Sequence, residues 1–285
     1  MAALIVGFCG ISFDAAHAAV PSPDRHLTRN WKFPHAVTAW LYVPPEPPEC
    51  HLPPPWTPVL FFPDSGTNAG DYRDYGAALR AEGFIGVILE KTGPGDSERA
   101  YAKLRAESAD PASRLFGRVA PGGYVVAGHG SGAAEALAIA YGESRAVACA
   151  ALDPTGLDGR VPGLPDAAGR SHFFPLLLVG TDAKASARGC LGTDRFESAY
   201  ESAGPPKYRV TIVGGGHCEF SAGYAACRGR GCPPGSLKPA EQRDLAARVL
   251  AGFLKAHASD AGPGAANRFL SSLSSPRLVS HATVR

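Results

Sequence analysis

The sequence of 285 residues has no run of basic side chains, no membrane-length apolar stretch and none of the short motifs that hold a nucleotide or a catalytic zinc. Lys and Arg number 28 and Asp and Glu 26, so the formal charge of +2 gives no electrostatic basis for nucleic-acid binding. No stretch reaches the roughly 18 apolar residues of a spanning helix. The chain also lacks a G-x-G-x-x-G fingerprint opening a helix, a P-loop and an H-E-x-x-H pair. We therefore expect no cofactor, no metal, no nucleic-acid partner and no transmembrane span.

No C-x-x-C pair occurs among the seven cysteines, which disfavours a zinc site, and an odd number cannot all pair within the chain. Cys149 lies in an apolar run and is predicted to be an inert core thiol. Cys218, Cys227 and Cys232 lie in a Gly-rich, loop-like stretch, where an oxidising compartment would allow a disulfide. We expect these three loop cysteines to be unpaired.

The two ends of the chain differ in composition from the region between them. Residues 2–13 are apolar, and Ala16 and Ala18 have the spacing of a signal-peptidase site, but a basic n-region is missing. Residues 1–20 are therefore either a leader, implying a secreted or organellar protein, or an N-terminal strand of a soluble intracellular one. Residues 30–258 are predicted to form a single α/β domain, and the Ser-, Ala- and Gly-rich residues 259–285 a mobile tail.

Short apolar runs alternate with helical patterns through this domain, and the hydrophobic content of 45% supports one large core. An antiparallel edge strand is predicted at residues 35–43. Buried strands are predicted at 59–62, 84–89, 124–127, 145–152, 175–179 and 208–213. Helices are predicted at 71–82, 97–108, 111–119, 133–141, 193–202 and 238–257. This alternation is typical of a mostly parallel, doubly wound sheet flanked by helices, which gathers functional groups at the carboxyl ends of its strands.

The strand at 124–127 enters a glycine-dense turn and leaves as an Ala-rich helix, the layout of a nucleophile elbow. The elbow motif is G-x-S-x-G, but here Gly128 and Gly132 bracket Gly130, and Ser131 stands one place late. His217 is the candidate general base, because the three glycines before it let the loop bring the imidazole across the elbow. The remaining strand exits carry Asp64, Ser65, Asp153 and Asp182.

The order of nucleophile position, acid and histidine resembles that of α/β-hydrolases, and more narrowly that of the chlorophyllase family of ester hydrolases. The resemblance covers residues 59–257. It is carried by the elbow, Leu152-Asp153-Pro154, the apolar strand at 175–180, and Gly216-His217 before a cysteine-bearing loop. It implies an α/β-hydrolase fold without a cofactor. It also implies hydrolysis of a hydrophobic carboxylic ester, such as the phytyl ester of chlorophyll.

The family's elbow reads G-H-S-x-G-G, so an ungapped comparison puts the nucleophile position on Gly130. A slip of one residue would put Ser131 there instead, but His129 would then fill a position that needs a small side chain. The resemblance implies Asp153 as the acid, because it matches the family's Asp-Pro. Asp182 is the second choice, since many other α/β-hydrolases place their acid at that strand exit.

The backbone N–H groups of Ser65 and Ser131 are the predicted oxyanion donors. The family's His-Gly before the first donor is replaced here by Pro63 and Asp64. Pro63 donates no N–H, and Asp64 brings negative charge to a site that must stabilise an oxyanion. Both critical turns therefore depart from the family pattern, which favours lost activity.

Three hypotheses follow for the function. The first is a working ester hydrolase in which His217 and Asp153 activate Ser131. The second is a catalytically inactive homologue that binds a hydrophobic ester or pigment-like ligand, and the third is a structural or protein-binding relative. Loss of the serine nucleophile removes about 10⁶-fold of the rate and leaves about 10³- to 10⁴-fold over water. The sequence predicts hydrolase descent and leaves activity and oligomeric state open.

Overall fold

In the residues that the computed structural model describes, the chain forms one sheet of nine strands. The described residues are 27–32, 38–45, 53–90, 95–142, 145–155, 174–182, 200–201, 203–223, 231–259 and 264–283. The strands are β1 Leu27–Lys32, β2 Thr38–Tyr42, β3 Pro58–Phe62, β4 Ile85–Leu89, β5 Tyr124–His129, β6 Ala146–Leu152, β7 Leu176–Thr181, β8 Lys207–Ile212 and β9 Leu278–Thr283. The predicted leader and most of the predicted helix at 193–202 lie outside the described residues.

Five α-helices lie between or after these strands in the described ranges. They are α1 Arg73–Ala81, α2 Asp96–Ala109, α3 Ser131–Gly142, α4 Pro239–Leu254 and α5 Ala265–Ser272. Helix α1 ends before Gly83, which takes the left-handed φ of 82° that favours glycine at a helix end. Helix α4 starts with Pro239, whose fixed φ suits the first helical position, and continues as a π-helical turn at Lys255–Ser259.

The strand order is β1-β2-β4-β3-β5-β6-β7-β8-β9. Strands β4, β3, β5, β6, β7 and β8 run parallel to one another, whereas β1, β2 and β9 pair antiparallel. The predicted α/β architecture with a mostly parallel sheet flanked by helices is confirmed. In the register of β3 and β5, Phe62 lies opposite Gly128, so the turns that follow these two strands lie side by side.

Hydrophobic cores lie on both faces of the sheet. Leu60 and Phe62 of β3 belong to the core that includes residues of α2 and α3. The intervening Val59 and Phe61 belong to the opposite core, with residues of α1, α4 and α5. A strand buried on both faces needs apolar side chains at every position, which explains the continuous apolar runs of the parallel strands.

Three predictions are wrong in their local structure. Strand β2 is not an edge strand, because β1 pairs along its outer side. The predicted mobile tail contains α5 and β9, and β9 pairs with β8 from Lys207 to Ile212. The predicted helix at 111–119 consists of turns ending in a bridge between Trp56 and Val119. In the part of the chain that the structure describes, no helix combines the length and apolar character needed to cross a bilayer.

Candidate active site at the elbow

The turn between β5 and α3 has the close packing that an elbow requires. Gly130 takes a φ of 58°, a left-handed conformation that side chains disfavour. A Cβ on Gly128 would lie 2.8 Å from the backbone nitrogen of Ala133, and one on Gly132 would lie 2.5 Å from the carbonyl oxygen of Pro63. Real Cβ atoms essentially never approach so closely, so glycine is required at both positions. Gly130 thus lies at the apex of the turn, and Ser131 is the first residue of α3.

The space beside Gly130 is filled by the carboxyl group of Asp64. A Cβ built on Gly130 would lie 2.5 Å from Asp64 Cγ and closer still to Oδ1. Asp64 follows β3 in the turn beside the elbow, and it is only 3% exposed. A side chain at position 130 and the observed position of Asp64 therefore exclude each other. The carboxylate lies where a side chain at position 130, the predicted nucleophile position, would begin.

Both predicted oxyanion donors are engaged within the chain. The backbone N–H of Ser131 donates to Asp64 Oδ1 at 2.9 Å, and the Ser131 hydroxyl donates to the same oxygen at 3.0 Å. The backbone N–H of Ser65 donates to the Ser131 hydroxyl oxygen at 2.9 Å. Asp64 Oδ1 thus accepts the N–H of one predicted oxyanion donor, Ser131, whereas the N–H of the other, Ser65, is used by the Ser131 hydroxyl.

His217 contacts one of the two candidate acids directly. Its Nδ1 donates to Asp153 Oδ2 at 2.7 Å. Asp153 has a φ of 43°, the single positive φ at a non-glycine residue in the described chain, and such strain costs on the order of 1–3 kcal/mol. Asp182 instead accepts the backbone N–H of Gly214 at 2.6 Å, at the start of the loop that carries His217. The structure therefore joins His217 to Asp153 and leaves Asp182 in a turn-stabilising position.

The loop that carries His217 is fixed on both sides. The side chain of Gln242, buried in α4, accepts the N–H of Gly216 at 2.9 Å and donates to the Gly216 carbonyl at 2.7 Å. Cys218, the residue after His217, is disulfide-bonded, as is Cys232. The expectation that these two loop cysteines are unpaired is therefore wrong, and Cys227 lies outside the described residues. Cys149 is a free thiol buried in the core, and burial raises its pKa.

Two aromatic residues to which the sequence assigns no role in the site connect its turns. His129, fully buried at the end of β5, donates from Nε2 to the carbonyl oxygen of His217 at 3.0 Å. Its Nδ1 lies 2.8 Å from the hydroxyl of Tyr72, which accepts the backbone N–H of Asp64 at 3.0 Å. The Tyr72–His129 pair therefore connects the Asp64 turn to the His217 loop.

The electrostatics of the site favour a charged histidine between two carboxylates. Asp64 Oδ2 lies 3.8 Å from His217 Nε2, an ion-pair distance that is too long for a hydrogen bond. Burial alone would lower the pKa of His217, but its contacts with Asp153 and Asp64 raise it to about 10. Burial would likewise raise the pKa of Asp64, but His217 and the Ser131 N–H hold it well below its usual range. At neutral pH His217 is an imidazolium and Asp64 is a carboxylate.

An imidazolium has no lone pair with which to take a proton, so His217 in this state can donate a proton but cannot act as a base. The described chain has no cluster of three or more His, Cys, Asp or Glu side chains placed to hold a metal ion. Of the predicted site residues, the structure brings together Gly130, Ser131, Ser65, Asp153 and His217, and it adds Asp64 at the centre.

Comparison with known proteins does not add a family to these observations. No protein-family model matches the chain, and no curated protein matches its sequence. The function must therefore be inferred from the site itself.

Proposed function

We propose that the chain has the α/β-hydrolase fold and descends from carboxylic-ester hydrolases similar to the chlorophyllase family. We further propose that it no longer hydrolyses esters through a serine nucleophile. One observation carries this proposal: the carboxylate of Asp64 occupies the space beside Gly130 and accepts the hydrogen bonds of the oxyanion donor Ser131.

The descent is supported by what surrounds that carboxylate. A sharp turn from a parallel strand into a helix, an Asp–His pair from later strand exits and two N–H donors at adjacent turns form the frame of a serine hydrolase. Asp153 takes the acid's role and His217 the base's role in that frame. The hydrophobic ester or pigment ligand remains a prediction from the family resemblance.

The proposed absence of ester hydrolysis follows from three features of the site that act together. Position 130 has no hydroxyl, and a negative charge already holds the oxyanion donor. In addition, His217 carries a proton at neutral pH, with a pKa of about 10, so it cannot activate a serine. Removal of the serine alone would cost about 10⁶-fold in the rate of an acyl-enzyme hydrolase.

Ser131 is not placed to replace the missing serine. Its hydroxyl donates to Asp64 Oδ1 and accepts the Ser65 N–H, so both partners of the hydroxyl belong to the oxyanion turn. The partner needed by a nucleophile is the neutral imidazole of His217. The geometry therefore favours Ser131 as an oxyanion-turn residue over Ser131 as a nucleophile.

The direct test is to treat the purified chain with a fluorophosphonate and with p-nitrophenyl esters, beside Ser131→Ala and a known serine esterase. We expect no covalent label on the wild-type chain and no turnover above that of buffer. Labelling or turnover that disappears in Ser131→Ala would instead show a working serine enzyme and overturn the proposal.

A further inference from the structure

The two oxygens of the Asp64 carboxylate have different surroundings. Oδ1 accepts the N–H and the hydroxyl of Ser131 at 2.9 and 3.0 Å. The Ser65 N–H in turn donates to the oxygen of that hydroxyl. These lengths are those of an oxyanion hole. Oδ2 is directed toward Nε2 of His217, 3.8 Å away. One oxygen is thus held by hydrogen-bond donors while the other faces a proton donor.

A carboxylate in such a position is a known type of covalent nucleophile. If Oδ2 forms a bond to carbon, Oδ1 becomes the carbonyl oxygen of an ester and already lies against its oxyanion donors. His217, oriented by Asp153 through a 2.7 Å hydrogen bond, has its Nε2 3.8 Å from Oδ2, close enough to protonate an oxygen that leaves a carbon bound to Oδ2. Ser65 and Ser131 are exposed, whereas Asp64 and His217 are only 3% and 7% exposed, so the carboxylate lies just beneath the two surface serines that it contacts or adjoins.

We propose that Asp64 is the nucleophile of a two-step hydrolysis of an epoxide, with His217 as the acid and then the base, and with Ser131 holding the oxyanion. This inference rests on the proposed function, because Asp64 at this position excludes a serine at position 130.

In the first step, a lone pair of Asp64 Oδ2 forms a bond to a ring carbon of the epoxide. The bond between that carbon and the ring oxygen breaks, and its electron pair stays on the oxygen. That oxygen takes the proton of His217 Nε2. The products are a hydroxyalkyl ester of Asp64 and a neutral imidazole.

In the second step, the neutral His217 takes a proton from water, and the water oxygen adds to Asp64 Cγ. The negative charge forms on Oδ1, where the N–H and hydroxyl of Ser131 stabilise it. The bond from Cγ to Oδ2 then breaks, the departing alkoxide takes the proton from His217, and the diol leaves. The new carboxyl group of Asp64 returns its proton to His217. The net reaction adds one water to one epoxide.

The resting charges select an epoxide over other electrophiles. Hydrolysis of a carboxylic ester by a serine or by water needs a neutral imidazole at the first step, whereas His217 lies between two carboxylates and is protonated. An alkyl halide leaves as an anion that needs no proton, so His217 would remain an imidazolium when the second step requires a base. An epoxide consumes that proton in the first step and leaves the base that the second step needs.

The test is a single-turnover reaction of excess protein with styrene oxide in H₂¹⁸O, followed by mass spectrometry of the diol and of the peptide that contains Asp64. The proposed route predicts a first-turnover diol without ¹⁸O and one ¹⁸O in the Asp64 carboxylate. Asp64→Asn, which preserves the shape of the side chain, should abolish diol formation. Asp74→Asn, which alters a carboxylate paired with Arg243 outside the site, should leave it unchanged.

Ser131→Ala supplies a second readout. Because it removes one of the two donors to Oδ1, we expect it to slow the second step by about 10²- to 10³-fold and to accumulate the ester on Asp64. Diol with ¹⁸O and an unlabelled Asp64 would overturn the inference, as would wild-type diol formation no faster than that of Asp64→Asn. If the chain is also silent toward fluorophosphonates, that failure leaves the proposed loss of serine chemistry standing. A fluorophosphonate label on Ser131 would overturn both proposals.

Discussion

The carboxylate of Asp64 lies in the space that a side chain on Gly130 would need, with Cγ 2.5 Å from the position of the Cβ. Under the proposed hydrolase descent, the two departures from the family pattern are therefore one structural change. The missing side chain at position 130 leaves room that Asp64 fills from the neighbouring turn. Asp64 also accepts the N–H and the hydroxyl of Ser131, one of the two predicted oxyanion donors, so that donor is no longer available to a substrate.

A double-mutant cycle tests this relationship through stability. Gly130→Ser should destabilise the fold, because a left-handed φ costs a side chain on the order of 1–3 kcal/mol and Asp64 blocks the space. In an Asp64→Gly background the steric part should vanish, giving a coupling of about 0.5–3 kcal/mol in the free energy of unfolding. Urea denaturation of the four proteins measures it, and strictly additive effects would contradict the contact.

The stability of the fold should depend on pH through His217. The pKa of His217 is raised from 6.5 to about 10 in the folded chain. A group with a raised pKa stabilises the fold fully below its unfolded pKa, and that contribution is lost as the pH rises through the folded pKa. We therefore expect the free energy of unfolding to fall between pH 6.5 and about 10. His217→Gln should remove most of this slope in denaturation curves, and an unchanged slope would show that His217 is not the titrating group.

The two candidate acids should differ in their effect on His217. Asp153 accepts a 2.7 Å hydrogen bond from His217, whereas Asp182 accepts one from Gly214. Asp153→Asn should therefore lower the pKa of His217, and the matched Asp182→Asn should leave it near the wild-type value while costing some stability. NMR titration of the imidazole distinguishes them. A larger shift in Asp182→Asn would move the acid's role to Asp182.

The Tyr72 hydroxyl should matter more to the site than a comparable buried hydroxyl nearby. Tyr72→Phe leaves the buried N–H of Asp64 without its acceptor, which typically costs about 1–3 kcal/mol, and it loosens the connection to His129. Tyr75 is equally buried, and its hydroxyl donates to the Phe220 carbonyl away from Asp64. Both variants should lower the melting temperature, but only Tyr72→Phe should shift the NMR titration of His217. Equal shifts would argue against the connection.

The sheet and the elbow were predictable because their signals are local. Apolar runs mark the parallel strands, and glycine spacing marks the turn at Gly128 and Gly132, where neighbouring backbone excludes a side chain. Strands β1 and β9 were missed, since pairing at a sheet edge depends on contacts with strands distant in sequence. The mobile tail was predicted from the composition of residues 259–285 alone. Composition does not reveal that a segment of this tail can pair with β8 as strand β9.

The position of Asp64 was not predicted, although a signal for it exists. Phe62 and Gly128 are in register on adjacent parallel strands, so the residues two places further on, Asp64 and Gly130, face each other. Once β3 and β5 are known to be neighbours, the sequence suggests that the Asp64 carboxylate fills the space left by the missing side chain at Gly130. The roles of His129 and Tyr72 depend on hydrogen bonds across 57 residues and on burial, which spacing does not reveal.

The most direct test of the central claim is ester hydrolysis by four proteins: wild type, Gly130→Ser, Asp64→Gly and the double variant. The account predicts that only the double variant hydrolyses p-nitrophenyl esters and takes a fluorophosphonate label at position 130. It alone has a hydroxyl at the elbow, free oxyanion donors and a His217 relieved of one carboxylate. Gly130→Ser as active as the double variant, or a folded double variant that stays inert, would contradict the claim that Asp64 occupies the nucleophile's place.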